Sequence, residues 1–159
     1  MDRADHLGKP VISITVATTE DAADWAAMRQ TLWPKGNPGQ HDADIARLLA
    51  VPGDTINFIA RADDRRPTGF AEAGLRHDYV NGTESSPVAF LEGIYVEPAF
   101  RRAGVARQLV EAVENWARQQ GCSELASDTG IANIASQKLH DALGFTETQR
   151  VVYFRKVLD

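Results

Sequence analysis

One stretch constrains the fold more than any other: Val88 to Gln120 passes from a dense apolar run, VAFLEGIYV, through a Glu97-Pro98 break into a long amphipathic helix. A run that apolar reads as a strand buried on both faces, so Val88–Val96 is expected at the centre of a sheet. Val105, Leu109, Ala112, Val113 and Trp116 recur at helical spacing over Arg101–Gln120, and Gly121 stops the helix. Glu124–Ser127 then returns as a short strand, which makes a strand-helix-strand crossover.

The rest of the chain is organised around that unit. Val11–Val16 reads as a first strand, and Thr18 or Thr19 caps a helix whose apolar positions are Ala22, Trp25, Met28 and Leu32. Trp33-Pro34 and the run to Gly39 break it, and Asp42–Leu49 is expected as a second, short helix. Thr55–Arg61 and Thr68–Arg76 form a hairpin around a charged turn, with a polar loop before Val88. After Ser127 the pattern gives a helix over Ile134–Leu143, ended by Gly144, and a last β segment over Thr148–Val157. The order βααβββαβαβ implies an α/β (α+β) fold with a mixed sheet and helices on both faces.

Length and charge narrow the function. A chain of 159 residues suits one domain, read here as residues 11–159 behind a flexible N-terminal tail over residues 1–10. A net charge of −5 argues against nucleic acid as a partner and favours a cationic ligand. Cys122 is the only cysteine, so no intrachain disulfide forms, no cysteine cluster can hold a metal, and a reducing cytoplasm fits. No apolar run approaches the length of a membrane span or a signal peptide, so no membrane partner is expected.

Sites in open sheets cluster at the carboxyl ends of strands, which directs attention to VEPAFRRAGVAR, residues 96–107. Free backbone N–H groups where a helix begins make an anion site, and Arg101 and Arg102 would reinforce it. Gly104 leaves the backbone open to close approach by a phosphate. Neither GxxxxGK[ST] nor GxGxxG occurs, which makes a nucleoside triphosphatase a poor fit.

RRAGVA resembles the pyrophosphate motif [Q/R]-x-x-G-x-[G/A] of the GNAT acetyltransferase superfamily, with Arg101, Gly104 and Ala106 at its defined positions. Asn133 before a helix and ALGF, residues 142–145, resemble the second half of that pattern. Longer segments are similar to the aminoglycoside 6'-N-acetyltransferases: LWP (32–34), GFAEAGLRHDYVNGTESSPVAFLEGIYV (69–96), ASDT (126–129), SQKLHDALGF (136–145) and RVVYF (150–154). The resemblance implies a GNAT fold, with a mostly antiparallel sheet splayed where acetyl-CoA enters. It also implies that Ile94 and Val96 pair with the pantetheine arm and that Arg101, Arg102, Gly104, Val105 and Ala106 hold the pyrophosphate. Asn133 and His140 would lie on the pantetheine or adenosine side, and no metal is needed.

Acyl transfer to an amine requires a neutral nucleophile, a polarised thioester carbonyl and a stabilised thiolate. The candidates for accepting the amine's proton are Glu72, Glu92 and Asp128. Strand alternation puts Glu92 on one face with Phe90 and Ile94, and Glu72 with Phe70, and a carboxylate among apolar neighbours is costly unless paired or used. Two also have a specific structural reading, a strand residue paired with an arginine for Glu92 and a helix cap or Asx turn for Asp128. The resemblance assigns Trp33, Tyr79, Glu92 and Asp128 to the aminoglycoside pocket. Gln149 departs from the glutamate often found at that position, so one anionic contact is missing. Tyr95 and Tyr153 are candidate proton donors to the thiolate, and Cys122 reads as a small buried residue rather than a nucleophile.

Three functions remain open on these residues: acetylation of an aminoglycoside 6'-amine, acetylation of another amine such as a polyamine, amino sugar or peptide, and non-catalytic sensing of acyl-CoA or a drug. Members of the family often form homodimers. The apolar RVVYFRKVL end can exchange or pair between subunits, or complete a monomer's own sheet.

Overall fold

Gly8 and residues 10–159 are described by the computed structural model; the tail expected over residues 1–10 otherwise lies outside the described residues. The sheet runs in sequence order. Strands β1 (Ile12–Val16), β2 (Thr55–Ala62), β3 (Pro67–Arg76) and β4 (Val88–Val96) pair antiparallel, and β5 (Leu125–Ser127) adds in parallel to β4. The central position expected for Val88–Val96 is therefore observed only in part: β4 lies one strand in from an edge of three residues.

Side-chain alternation along β2, β3 and β4 divides the core in two. Ile59, Phe70 and Tyr95 point to one face, where Trp25 and Met28 of α1 (Ala22–Leu32) and Ile45 of α2 (Pro38–Ala50) cover them. Ala60, Ala71, Ala73, Leu91 and Val96 point to the other, beneath Val105, Leu109, Val110 and Val113 of α3 (Val105–Gln119). Each of those four α3 side chains is essentially closed to water. Burial of that kind is worth roughly 1.5–3 kcal/mol per side chain, and it clamps α3, with its free N-terminus, against β4. The small residues Ala60, Ala71 and Ala73 let the helix approach closely.

Some boundaries differ from expectation for local reasons. Asn37-Pro38 starts α2 rather than breaking the chain: the Asn37 side chain accepts from the Gly39 N–H at 2.9 Å and Pro38 occupies the first helical position. Helix α3 begins only at Val105, because Arg101–Gly104 turns through two positive φ angles, Arg102 at 63° and Gly104 at 81°. Helix α4 covers Ile134–Ala142.

The last β segment is not formed. Residues 145–159 have no regular structure, and Val152, Tyr153, Phe154, Val157 and Leu158 are exposed. A strand needs a ladder partner, and among the described residues this segment has none, so its β propensity goes unused within one chain.

Among the described residues no helix is long and apolar enough to cross a membrane. Cys122 is buried against Ala89 and Ala117, and burial pushes its thiol up, which suits the expected packing role.

Candidate active site

A β-bulge builds the site. Pairing between β3 and β4 runs in register from Gly69 opposite Val96 to Glu72 opposite Gly93, then shifts so that Ala73 faces Leu91 and Glu92 is left over. The extra residue reverses the parity of the strand. Glu92 therefore lines the same hollow as Glu72, while Ile94 packs toward α3. Strict alternation had placed Glu92 and Ile94 on one face, and the bulge corrects that. The hollow has a volume of about 330 Å³, and Arg29, Trp33, Asn57, Glu72 and Glu92 lie on its wall.

Glu72 forms the floor. It is 5% exposed, and burial pushes its carboxyl up to about 7 in spite of the nearby Arg29 charge; Asp44 and Glu92 push the same way as burial. The Arg29 Nε lies 3.4 Å from Glu72 Oε2, and Arg29 Nη2 lies 3.5 Å from Asp44. Neither approach has hydrogen-bond geometry: Glu72 Oε2 and the Arg29 Nε and Nη1 have no hydrogen-bond partner among the described residues. A buried carboxylate oxygen without a donor is positioned to take a proton or a ligand's N–H.

Glu92 forms the rim, nearly half exposed and bonded to Arg76 Nη2 at 2.6 Å. The Arg76 guanidinium also lies 4.1 Å from the centre of the Phe90 ring. Beside it His77 Nε2 and Asp54 are 3.0 Å apart. Trp33 lines the hollow from the end of α1, edge-to-face with Phe70 at 6.1 Å, with its Cζ2 and Cη2 atoms against Gly93 of the bulge. A Cβ at Gly93 would stand 2.5 Å from Trp33 Cζ2, so the bulge needs glycine there. Tyr79 is 75% exposed on the loop after β3 and does not line the hollow.

Asp128 follows β5 directly, exposed and without a side-chain partner among the described residues. Asn133 caps α4, its Oδ1 accepting from the Ser136 N–H at 3.1 Å. Both ring nitrogens of His140 are engaged, Nδ1 with the Ser136 carbonyl at 2.7 Å and Nε2 with Ser127 Oγ at 2.8 Å. Only the carbon edge and faces of that ring remain for a donor molecule. Tyr95 packs on Phe70 in the α1 face of the core and donates to Glu97 at 3.3 Å, away from the β4–β5 opening, and Tyr153 lies on the exposed C-terminal segment.

The donor side is an opening between strands. Ladder pairing of β4 with β5 stops at Leu91 opposite Ser127, and β4 continues to Val96 without a strand beside it. The Val96 carbonyl accepts from Arg101 Nε at 3.0 Å, which turns that guanidinium toward the strand end. At the start of α3 the first N–H groups lack intrahelical partners, and a Cβ on Gly104 would meet nothing within 4 Å. The space in front of Gly104 is open to an anion, and its left-handed backbone is a second reason for glycine. Ile94 and Val96 lie on the stretch of β4 with no strand beside it, Arg101, Arg102 and Gly104 belong to the turn that follows, and Val105 and Ala106 open α3, the Val105 side chain buried in the core. Among the described residues no cluster of side chains fits a metal ion.

Arg29 and Asp44 were not singled out from the sequence, though a signal existed. Arg29 sits four residues after Trp25 and three before Leu32, within the apolar stripe of α1, and a charge there requires a buried partner. Arg76, at the end of a strand, carries no such signal.

Residues 22–145 match the family model described as the acetyltransferase (GNAT) family. An aminoglycoside N(6')-acetyltransferase type 1 from Serratia marcescens is 54% identical over 91% of this chain and 99% of its own length. One from Stenotrophomonas maltophilia is 48% identical over 92% and 94%. Among solved structures, AAC(6')-Ih from Acinetobacter baumannii aligns with a TM-score of 0.89 at 42% identity, over 94% of this chain and 100% of that one. The structure of AAC(6')-Iy with a bisubstrate analogue, CoA-S-monomethyl-acetylneamine, gives a TM-score of 0.87 at 47% identity, over 93% and 99%.

Proposed function

This chain belongs to the GNAT family of acetyltransferases, and from that premise we propose that it moves the acetyl group of acetyl-CoA to the 6'-amine of an aminoglycoside by direct attack in a ternary complex. The observation that carries the acceptor is the bulge, which sets Glu72 and Glu92 into one acidic hollow beneath the Trp33 ring. An aminoglycoside is a polycation with flat sugar faces, and carboxylates beside an aromatic wall suit it.

Acetyl-CoA, as donor substrate, supplies an activated carbonyl and a thiolate leaving group. The free N–H groups at the start of α3, with Arg102 and Gly104, bind its pyrophosphate, and the unpaired edge of β4 from Gly93 to Val96 takes the pantetheine arm as an added strand. The backbone N–H near Ile94 faces the developing oxyanion. Glu92 and Asp128 hold the acceptor's ammonium groups, with Trp33 and Tyr79 as aromatic walls. The attacking amine gives up a proton to a carboxylate, Glu72, Glu92 or Asp128; the C–N bond forms, the C–S bond breaks, and the thiolate leaves to be protonated. Glu72, buried and titrating near neutral pH, suits the base best. Acetylation converts the 6'-ammonium group into a neutral amide and so removes one positive charge from the drug.

The exposed run from Val151 to Leu158 supports a homodimer in which each subunit's C-terminal segment pairs with its partner's sheet, beside the three-residue edge of β5. The setting we propose is the cytoplasm, where acetyl-CoA and an uncrosslinked Cys122 both belong.

The test is thiol release from acetyl-CoA with a panel of aminoglycosides bearing or lacking a 6'-amine, with spermidine and a lysine peptide as other amines. Turnover confined to the 6'-amine drugs is expected. Turnover only on the other amines would keep the donor site and overturn the acceptor, and tight acetyl-CoA binding with no release would make the protein a sensor.

A further inference from the structure

The two exposed carboxylates of the proposed site, Glu92 and Asp128, each follow a residue that Ser127 touches or is. Ser127 Oγ lies 3.2 Å from the Leu91 carbonyl, the peptide unit leading into Glu92, and Ser127 itself precedes Asp128. The contact falls on the last rung of the β4–β5 ladder, Leu91 opposite Ser127, where backbone pairing ends and the donor opening begins. From the far side His140 of α4 reaches the same hydroxyl, Nε2 to Oγ at 2.8 Å.

Counting protons fixes the direction of the chain. The Ser136 carbonyl can only accept, so His140 Nδ1, 2.7 Å away, carries a proton. The single Ser127 hydroxyl proton goes to the Leu91 carbonyl, so the Ser127 oxygen accepts from a His140 Nε2–H, and the link is complete with a proton on each ring nitrogen. The ring is also held by its edge-to-face contact with Phe145 at 5.1 Å, and the Phe145 N–H bonds the His140 carbonyl at 3.0 Å. Helix α4 thus presents a fixed imidazole donor to one serine at the apex of the opening.

We infer that Ser127 and His140 form a pin that fixes the ends of β4 and β5, and are positioning residues that aim Glu92 and Asp128 at the acceptor. The inference rests on the acyl-transfer reading above, and assigns to His140 a part in placing the carboxylates as well as in flanking the donor. Releasing the pin lets both carboxylates drift without unpacking the core, because neither Ser127 nor His140 belongs to the buried clusters around α3 or α1.

The test combines kinetics with a spectroscopic readout on the full chain. Ser127→Ala and His140→Phe, the second keeping an aromatic ring against Phe145, are each expected to lower kcat about 10- to 100-fold. In Ser127→Ala the KM for acetyl-CoA and the melting temperature should stay near the parent values, Ser127→Thr should restore most of kcat, and the double variant should have a kcat no lower than the poorer single one. Losses that multiply in the double variant, a Thr variant as poor as Ala, or unchanged kcat in both singles would overturn the pin. Nitrogen-15 NMR of the histidine rings needs no acceptor: protons on both His140 ring nitrogens are expected, and a ring unprotonated at Nε2 would refute the arrangement. If the parent protein acetylates no aminoglycoside, the proposed acceptor fails while the kinetic comparison proceeds on whichever amine is accepted and the NMR result still decides the pin.

Discussion

Glu72 and Glu92 stand on neighbouring strands, line one hollow, and differ in almost everything that sets a carboxylate's chemistry. On the floor, Glu72 is closed to water, its Arg29 partner approaches without hydrogen-bond geometry, and its proton is held to about pH 7. At the rim, Glu92 is open to water and its Arg76 partner is in direct contact. Ion pairs made in water are tight because nothing strains them, yet they stabilise little; buried ones are costly to make and worse to break. The floor can store and move a proton, and the rim can trade one cation for another.

The sharpest way to break the contrast is to remove the floor's cation. Arg29→Ala leaves Glu72 and Asp44 facing each other in a buried site, and should cost about 3–5 kcal/mol of stability near pH 8. The loss should shrink near pH 5, where Glu72 keeps its proton and needs no partner. Urea unfolding at the two pH values checks this, and a loss below about 1 kcal/mol at both would mean that the floor is not a buried ion pair.

Glu72→Gln probes the same floor through linkage. The native state retains the Glu72 proton to about pH 7, whereas the unfolded chain releases it near 4.5. Between those values the native state binds the additional proton, so stability falls as pH rises and the loss is complete above 7. The size is on the order of 3 kcal/mol. The Gln variant should lose that slope, and its unfolding midpoint should change less between about pH 5 and 8 than the parent's does. If Glu72 is the base, the same variant also loses the rise of kcat with pH near neutrality; a rise that persists would move the base to Glu92 or Asp128.

How much of this was legible follows from what sets each feature. The order of elements through α4 and the anion-binding turn rest on local patterning: the apolar stripe of α3, the Glu97-Pro98 break and Gly104 are visible in the residues themselves. Glu72 and Glu92 stood out as acids in apolar strands, but their meeting depends on the bulge at Glu92, which no period-2 count reveals. Gly93 was the one available hint, a glycine within an otherwise largely apolar strand. The C-terminal segment failed for a different reason. Its alternation has β propensity, but a strand also requires a partner, and among the described residues none pairs with it.

Gly93→Ala tests whether the bulge is what unites floor and rim. The new Cβ would lie 2.5 Å from Trp33 Cζ2 and 2.7 Å from Cη2, so Trp33 or the strand must shift. A loss of about 1–3 kcal/mol is expected, with a raised acceptor KM and an unchanged KM for acetyl-CoA. Equal losses on both substrates would place the bulge's influence on the donor opening instead.

The smallest effect should come from the rim. Arg76 is a resident cation on a carboxylate proposed to receive a cationic substrate, so every binding event must displace it. The pair is nearly half exposed, which limits its worth to about 0.2–1 kcal/mol. Arg76→Gln should therefore leave the melting temperature almost unchanged, and should lower the acceptor KM by about 1.4- to 5-fold, the same free energy expressed as affinity. The kcat should not move, because the bound complex no longer contains the pair. A KM that rises instead would show that Arg76 holds Glu92 in its productive position, so that the rim, like the floor, is organised before the substrate arrives.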